Sequence, residues 1–406
     1  MSNILNSIAA DRLSKINESP TLALTKLISQ LKSQGQKIID FGVGEPSFET
    51  PDHVNKAAID AIHQGKTKYT PVDGTASLKK AIVHKFKEDN NLDYETTQIT
   101  VGCGAKQIIF NAMMGTLNPG DEVIIPAPYW VSYPDMVQVA EGTPVIIECG
   151  QSSNFKMTAE QLEAAITPKT KWVFLNSPSN PTGMIYEKSE LDAIAKVLMK
   201  HEQIWLMSDD IYEHLVYDNK KFYTMLNIEP KLRKRTFIVN GVSKSHSMTG
   251  WRIGFGAGPE ELIKNIAKIQ SHSTSNPCSI SQYAAEEALK HDMIFFNKWK
   301  SEYIKRRNLA FEILSQSEYL DIIKPNGAFY IFVNCTKAMN KKTKDGDLIK
   351  NDQDLCKYLL HNAKVGVVPG SAFGLPNYFR MSYVSNEETV KNGCCQIINA
   401  LNELSK

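Results

Sequence analysis

The chain has 406 residues, 42% of them hydrophobic, enough for a sizeable core and too many for intrinsic disorder. Lysine and arginine number 46 against 44 aspartates and glutamates, and a net charge of +2 gives no electrostatic reason to bind nucleic acid or a membrane surface. The seven cysteines are scattered without CxxC spacing, and neither a secretory leader nor an apolar run of roughly 18 residues is present, so a soluble cytosolic protein in a reducing compartment is expected.

In chain order, residues 1–48 precede the regular pattern and are expected to pack with a smaller domain. From Lys37 onward, "KIIDF", "QITV", "EVIIPAP", "TPVIIE", "KWVFLNS", "IWLMSDD" and "TFIVNG" read as strands. Between them, "SLKKAIVHKFKED", "KQIIFNAMMGTL" and "EKSELDAIAKVLMKH" read as helices. Strands alternating with helices predict an α/β fold, with a large domain over 49–291 built on a mostly parallel sheet covered by helices. Beyond Asp292 the pattern changes to one long helix, "MIFFNKWKSEYIKRRNLAFEILSQS", then the short strands "AFYIFV" and "VGVVPG" and a terminal helix from about Glu387. Residues 292–406 are therefore expected to hold an interdomain helix and a small α/β domain, with "TKDGDLIKND" as a solvated loop.

Five stretches carry residue types suited to chemistry. In "ITVGCGAKQIIFNAM" a strand ends, two glycines follow and a helix opens at about Ala105, a place where backbone N–H groups can face a phosphate. It is not a Walker A loop, and Gln107 stands where the third glycine of a dinucleotide fingerprint belongs. "NSPSNPTG" (176–183) follows a strand, and by itself is also an ordinary turn. "MSDDIYEHLVY" ends a strand in Asp209-Asp210, whose acids could cap a helix or pair a buried cation; without a His/Cys cluster a metal is not expected. "FIVNGVSKSHSMTGWRIGFGAG" delivers Lys244 among small residues, followed eight positions later by Arg252. A lysine at a strand end suits carbonyl chemistry, because its amine can form a Schiff base; a surface lysine and a salt-bridged arginine are the ordinary alternatives. "YFRMSY" places Arg380 in a short strand, where an interface ion pair is equally open.

Taken in order, these stretches resemble the fold type I, pyridoxal-phosphate-dependent aminotransferases of class I, in particular the bacterial aspartate aminotransferases of the aspartate/prephenate subgroup. The resemblance runs from "SPTLAL" to the terminal helix and includes "GEPSFETP", "GKTKYTPVDG" and "PAPYWVSYP". It implies pyridoxal 5'-phosphate as cofactor, held covalently by Lys244, whose amine then moves a proton as general acid and base. It implies that Arg252, Ser243 and the Gly104-Ala105-Lys106 turn hold the phosphate, joined by Tyr69 of a second subunit, which makes a homodimer necessary. Asp209 would serve the pyridine nitrogen, Asn180 and Tyr212 the ring oxygen, and Trp130 the ring face. Arg380 and the Gly44 N–H would bind the substrate α-carboxylate, and Lys106, with Ser19 and Thr21, a distal carboxylate. The partners implied are an amino acid and a 2-oxo acid, aspartate and 2-oxoglutarate; aromatic amino acids are an alternative. A transcriptional regulator on the same fold would carry an added basic DNA-binding domain, which neither the charge balance nor the early start of the motifs supports. Prephenate-active members carry a lysine two residues before the serine of "SPT", and here that place is Asn17, so weak or absent prephenate transamination is expected.

Overall fold

The computed structural model describes residues 8–16, 18 and 20–405. After a short strand β1 (Ile39–Asp40), seven strands build the large sheet: β2 (Ile99–Gly102), β3 (Glu122–Ala127), β4 (Thr143–Glu148), β5 (Thr170–Asn176), β6 (Trp205–Asp209), β7 (Thr236–Gly241) and β8 (Gly254–Ala257). Their spatial order is β2-β8-β7-β6-β5-β3-β4, with β4, β3, β5, β6 and β7 parallel. Helices cover the sheet, so its central strands are hydrophobic on both faces; every residue of β7 is buried.

Sequence reading missed β8, which runs antiparallel between β7 and β2. Only 12 residues separate β7 from β8, holding a single helical turn (Val242–Ser245) and no long crossover helix, so the chain folds straight back. The stretch Gly254–Gly258 hid the strand because glycine carries little strand preference. Its bareness serves packing: a Cβ on Gly256 would come within 2.4 Å of the Phe237 ring, and one on Gly254 within 2.1 Å of the Ala105 nitrogen.

The C-terminal part supplies β9 (Asp321–Ile322), β10 (Tyr330–Asn334), β11 (Val365–Gly366), β12 (Val368–Pro369) and β13 (Tyr378–Ser382). Four of these form an antiparallel sheet in the order β12-β13-β10-β9. The expected "KIIDF" strand shrinks to β1, which pairs with β11 and stays outside the large sheet. The expected "VGVVPG" strand divides into β11 and β12. The long helix forms over Ile294–Leu314 and the terminal helix over Glu387–Asn402, capped by the Asn386 side chain on the Thr389 N–H at 2.8 Å.

Behind the carboxyl ends of β6 and β7, a buried polar network ties the sheet to the helix Ala76–Asn90. That helix starts at Thr75, whose hydroxyl accepts from the Leu78 N–H, and buries Leu78, Ile82 and Phe86. From its end, the Lys85 ammonium and the Asn90 amide donate to Glu213, and Asn240 at the tip of β7 donates to the same carboxylate at 2.7 Å. Burial opposes ionisation of Glu213, but Lys85 and His214 outweigh it and hold its carboxyl down at about 2, against an ordinary 4.5. The stability contributed is therefore present above the ordinary value and lost as pH falls through about 2. Glu213→Ala leaves the buried Lys85 ammonium with only Asn90 at 2.7 Å and the more distant Asp89 at 3.5 Å, and is expected to destabilise the fold by about 3 kcal/mol, read as an earlier denaturant midpoint at neutral pH.

Candidate active site

The parallel sheet opens a crevice outside the carboxyl ends of its strands. Register sets what arrives there: Asn176 at the end of β5 lies beside Asp209 at the end of β6, and Asp209 beside Val239 of β7. The Asn176 amide donates to the Asp209 carbonyl at 2.9 Å, and its side-chain oxygen accepts from the Asn180 N–H at 2.8 Å. The "NSPSNPTG" turn is thereby pinned to the strand end that carries the acid.

Successive side chains on a strand point to opposite faces, and this separates the two acids. Asp209 accepts from the Tyr133 hydroxyl at 2.5 Å and faces the Lys244 charge. Asp210 accepts from the Ser208 hydroxyl at 2.7 Å and faces Thr224. Burial raises both carboxyls, Asp209 to about 6 and Asp210 to about 7. The hydroxyl of Tyr133 and the N–H of Ile211 hold Asp209 back from rising further.

Lys244 rides on the helical turn Val242–Ser245, beside buried Ser243. Its Nζ donates to the Gly44 carbonyl at 2.7 Å and lies 5.9 Å from the ring centres of both Tyr212 and Phe329. Burial first, then the like charges of Arg252 and Arg380, bring the amine down to about 8, with Glu45 and Asp209 opposing.

Two arginines act on the same amine. Arg252 donates to the carbonyls of Thr249 at 2.9 Å and Cys103 at 3.2 Å, which sets it against the start of the helix Ala105–Thr116. The turn before that helix uses Gly104 at φ +84°, and a Cβ there would fall 2.2 Å from a guanidinium nitrogen of Arg252. Gln107, in place of a third glycine, accepts from the Cys103 N–H at 2.7 Å and donates to Thr274 at 2.9 Å, bracing the turn. Arg252 itself has φ +57°, an uncommon conformation for a residue other than glycine and of the kind held at functional sites. Arg380, 3% exposed on β13, donates to the Asn180 side chain at 2.9 Å and to the Gly42 carbonyl, and stacks over Tyr330 at 4.6 Å. Lys106 reaches over the Trp130 ring at 4.9 Å.

The hydrogen bonds of Lys244, Arg252 and Arg380 thus go to carbonyls and an amide, while Lys106 leans on a ring. Four cations converge on partners that are dipoles. The structure brings together Gly44, Gly104, Ala105, Lys106, Trp130, Asn180, Asp209, Tyr212, Ser243, Lys244, Arg252 and Arg380 around this crevice. Tyr69 stands apart, 91% exposed. Thr21 lies in the first turn of the helix Pro20–Ser33, its carbonyl accepting from the Thr25 hydroxyl. Asn17 and Ser19 lie outside the described residues.

Two tyrosines escaped sequence reading. Tyr133 grips Asp209, and Tyr330 places its hydroxyl 2.9 Å from that of Tyr212 beneath Gly44, where a Cβ would strike it at 2.1 Å. The available signals were weak: a tyrosine three residues past Trp130, and a hydroxyl within the apolar strand "AFYIFV".

The model of the family "Aminotransferase class I and II" matches residues 36–397. The chain belongs to the class I and II aminotransferases. A Rickettsia conorii protein named "Probable aspartate/prephenate aminotransferase" is 55% identical over 391 residues, covering 96% of this chain and 98% of that protein. The crystal structure of the aspartate aminotransferase from Rhizobium meliloti superposes with a TM-score of 0.95 at 50% identity, covering 98% of this chain and 100% of that one. An aspartate aminotransferase from Thermus thermophilus, solved with maleate, gives 0.90 at 36%, covering 97% and 100%. As an aminotransferase of this family the chain has a fold type I architecture, and among the described residues no helix is long and apolar enough to cross a membrane.

Because the Gly104 turn and Arg252 leave no room for a methyl group, Gly104→Ala is expected to push the guanidinium out of place. Losing the Arg252 hydrogen bond to the Cys103 carbonyl costs about 1 kcal/mol, read as an earlier denaturant midpoint than that of the unmodified chain.

Proposed function

We propose that this aminotransferase transfers the amino group of L-aspartate to 2-oxoglutarate in a ping-pong cycle, releasing oxaloacetate and then L-glutamate. The observation that carries the reading is the set of four cations whose direct contacts, among the described residues, are dipoles and a ring and not carboxylates: a phosphate and two substrate carboxylates would supply negative charge in direct contact. Maleate in the Thermus thermophilus structure is a four-carbon dicarboxylate of matching chemistry. When bound, pyridoxal 5'-phosphate supplies a carbonyl that condenses with an amine and a ring that withdraws electrons from the substrate Cα. The residues fit that group: the Gly104 cradle with Arg252 and Ser243 suits its phosphate, Trp130 the ring face, and Asn180 and Tyr212 the ring oxygen. Asp209 is a buried carboxyl raised to about 6, and a protonated ring nitrogen beside it would restore its charge.

Lys244 anchors the cofactor and afterwards carries a proton to and from the substrate Cα, a task suited to an amine brought down to about 8. Arg380, held by Asn180 and backed by Tyr330, binds the α-carboxylate as a planar fork, with the Gly44 N–H assisting. Every amino acid has that carboxylate, so Arg380 cannot select aspartate; Lys106 is assigned the distal one, together with Thr21. A homodimer completes the site through Tyr69, which projects from a segment that also leaves Ile59 and Ile62 about half exposed. We divide the chain into an arm (1–48), a cofactor-binding domain (49–291) and a small domain (292–406), acting in the cytoplasm.

A second reading, prephenate as amino acceptor, is favoured by the name of the Rickettsia relative and disfavoured by Asn17. Half-reaction spectra with a panel of amino acids test the main reading: aspartate should discharge the cofactor absorption fastest and yield oxaloacetate, and an aromatic preference would overturn it. Comparing prephenate with oxaloacetate as acceptors decides the second reading, with equal efficiencies establishing prephenate activity. Lys106→Ala should lower efficiency for aspartate by roughly 10- to 150-fold while sparing alanine; an equal loss on both would reassign Lys106 to the cofactor phosphate.

A further inference from the structure

The loop from Gly42 to Thr50 crosses from the small sheet to the turn that carries Lys244. Upstream, Gly42 is held by Asp40 at 2.8 Å and by Arg380, which donates to its carbonyl. Downstream, the loop is sewn to the segment that follows the lysine. The Thr50 hydroxyl donates to the Ser247 carbonyl at 2.8 Å, the Trp251 indole donates to Thr50 at 3.1 Å, and the Ser247 hydroxyl donates to the Phe48 carbonyl. Between these stitches lies Glu45, directly after the glycine whose carbonyl holds the Lys244 amine. Its carboxylate accepts from the Thr249 hydroxyl, and the Thr249 carbonyl in turn accepts from Arg252.

The charged groups facing the amine come from four elements: Glu45 from this loop, Asp209 from β6, Arg252 from the turn before β8, and Arg380 from β13. The Tyr212 and Phe329 ring centres each lie 5.9 Å from that amine. Both arginines are assigned to anions, and Asp209 is held by Tyr133 and assigned to the cofactor ring. Glu45 is the one charge in this group without another assignment.

We propose that Glu45 is a positioning residue for Lys244: anchored by Thr249, it keeps a negative charge beside the amine and the Gly44 carbonyl within its reach whenever the amine is free. This rests on the reading of Lys244 as the proton-carrying amine. Glu45 is exposed, so water screens its field and limits the effect to a modest one.

The test uses the full-length chain freed of cofactor, labelled with trace acetic anhydride across a pH series, with the Lys244 peptide quantified by mass spectrometry. Removing a negative charge favours the neutral amine, so Glu45→Gln should lower the labelling midpoint of Lys244 by roughly 0.5 to 1 pH unit. Glu45→Asp, which keeps the charge, should hold the midpoint near that of the unmodified chain. Thr249→Val, which keeps the charge but frees it, should lower the midpoint by less than Glu45→Gln does. An unchanged midpoint in Glu45→Gln, or equal shifts in the Asp and Gln variants, would overturn the proposal. The labelling needs no turnover, so such a result would leave the proposed activity standing. Failure of aspartate to react with the loaded enzyme would strike the activity alone.

Discussion

Positive charge gathers at one crevice with no carboxylate in direct contact among the described residues, and the surrounding structure is arranged around it. Lys106, Lys244, Arg252 and Arg380 would repel one another if they met nothing else; burial and the two arginines bring the Lys244 amine down to about 8, with Glu45 and Asp209 opposing. Carbonyl dipoles from Gly42, Gly44, Cys103 and Thr249 and the Asn180 amide hold three of the cations in place without neutralising them. Such an arrangement is costly for a fold and useful for binding anions, since the ligand supplies what the protein withholds.

The scaffold spends its stronger interactions behind the crevice. The Glu213–Lys85–Asn90–Asn240 network lies against the back of the strand ends that present Asp209 and the lysine turn. Arg307, fully buried, makes a two-pronged contact with Asp218 and donates to the Pro325 carbonyl at 3.0 Å, fastening the long helix to the chain before β10. The Asp89–Glu213–His214 group has metal-like spacing, but the Lys85 ammonium already pairs with both of its acids. Opposite charges are thus in direct contact where rigidity is required and held apart where ligands are to bind.

How far this could be read from the sequence depended on the kind of signal. The parallel strands were legible because apolar runs alternated with helical ones, whereas Lys244, Arg252 and Arg380 each had an ordinary alternative and stood out only through the order of motifs that resembles the family. Glycine hid β8, since Gly254 and Gly256 are present for close packing and not for strand preference. Tyr133 and Tyr330 were invisible because a buried aromatic in a helix or strand reads as core, and only the partner of its hydroxyl reveals a role. Asp209 could be preferred over its neighbour Asp210 only through the family motif; alternation along β6 supplies the physical reason, turning one acid toward the lysine and the other toward Ser208.

The central claim is that Lys244 is the amine around which this charge is arranged. Borohydride reduction of the chain loaded with pyridoxal 5'-phosphate, followed by peptide mapping, tests it most directly. A single pyridoxyl group is expected, on Lys244; a group on Lys106, or on any other lysine in place of Lys244, would show that the charge is arranged around a different amine.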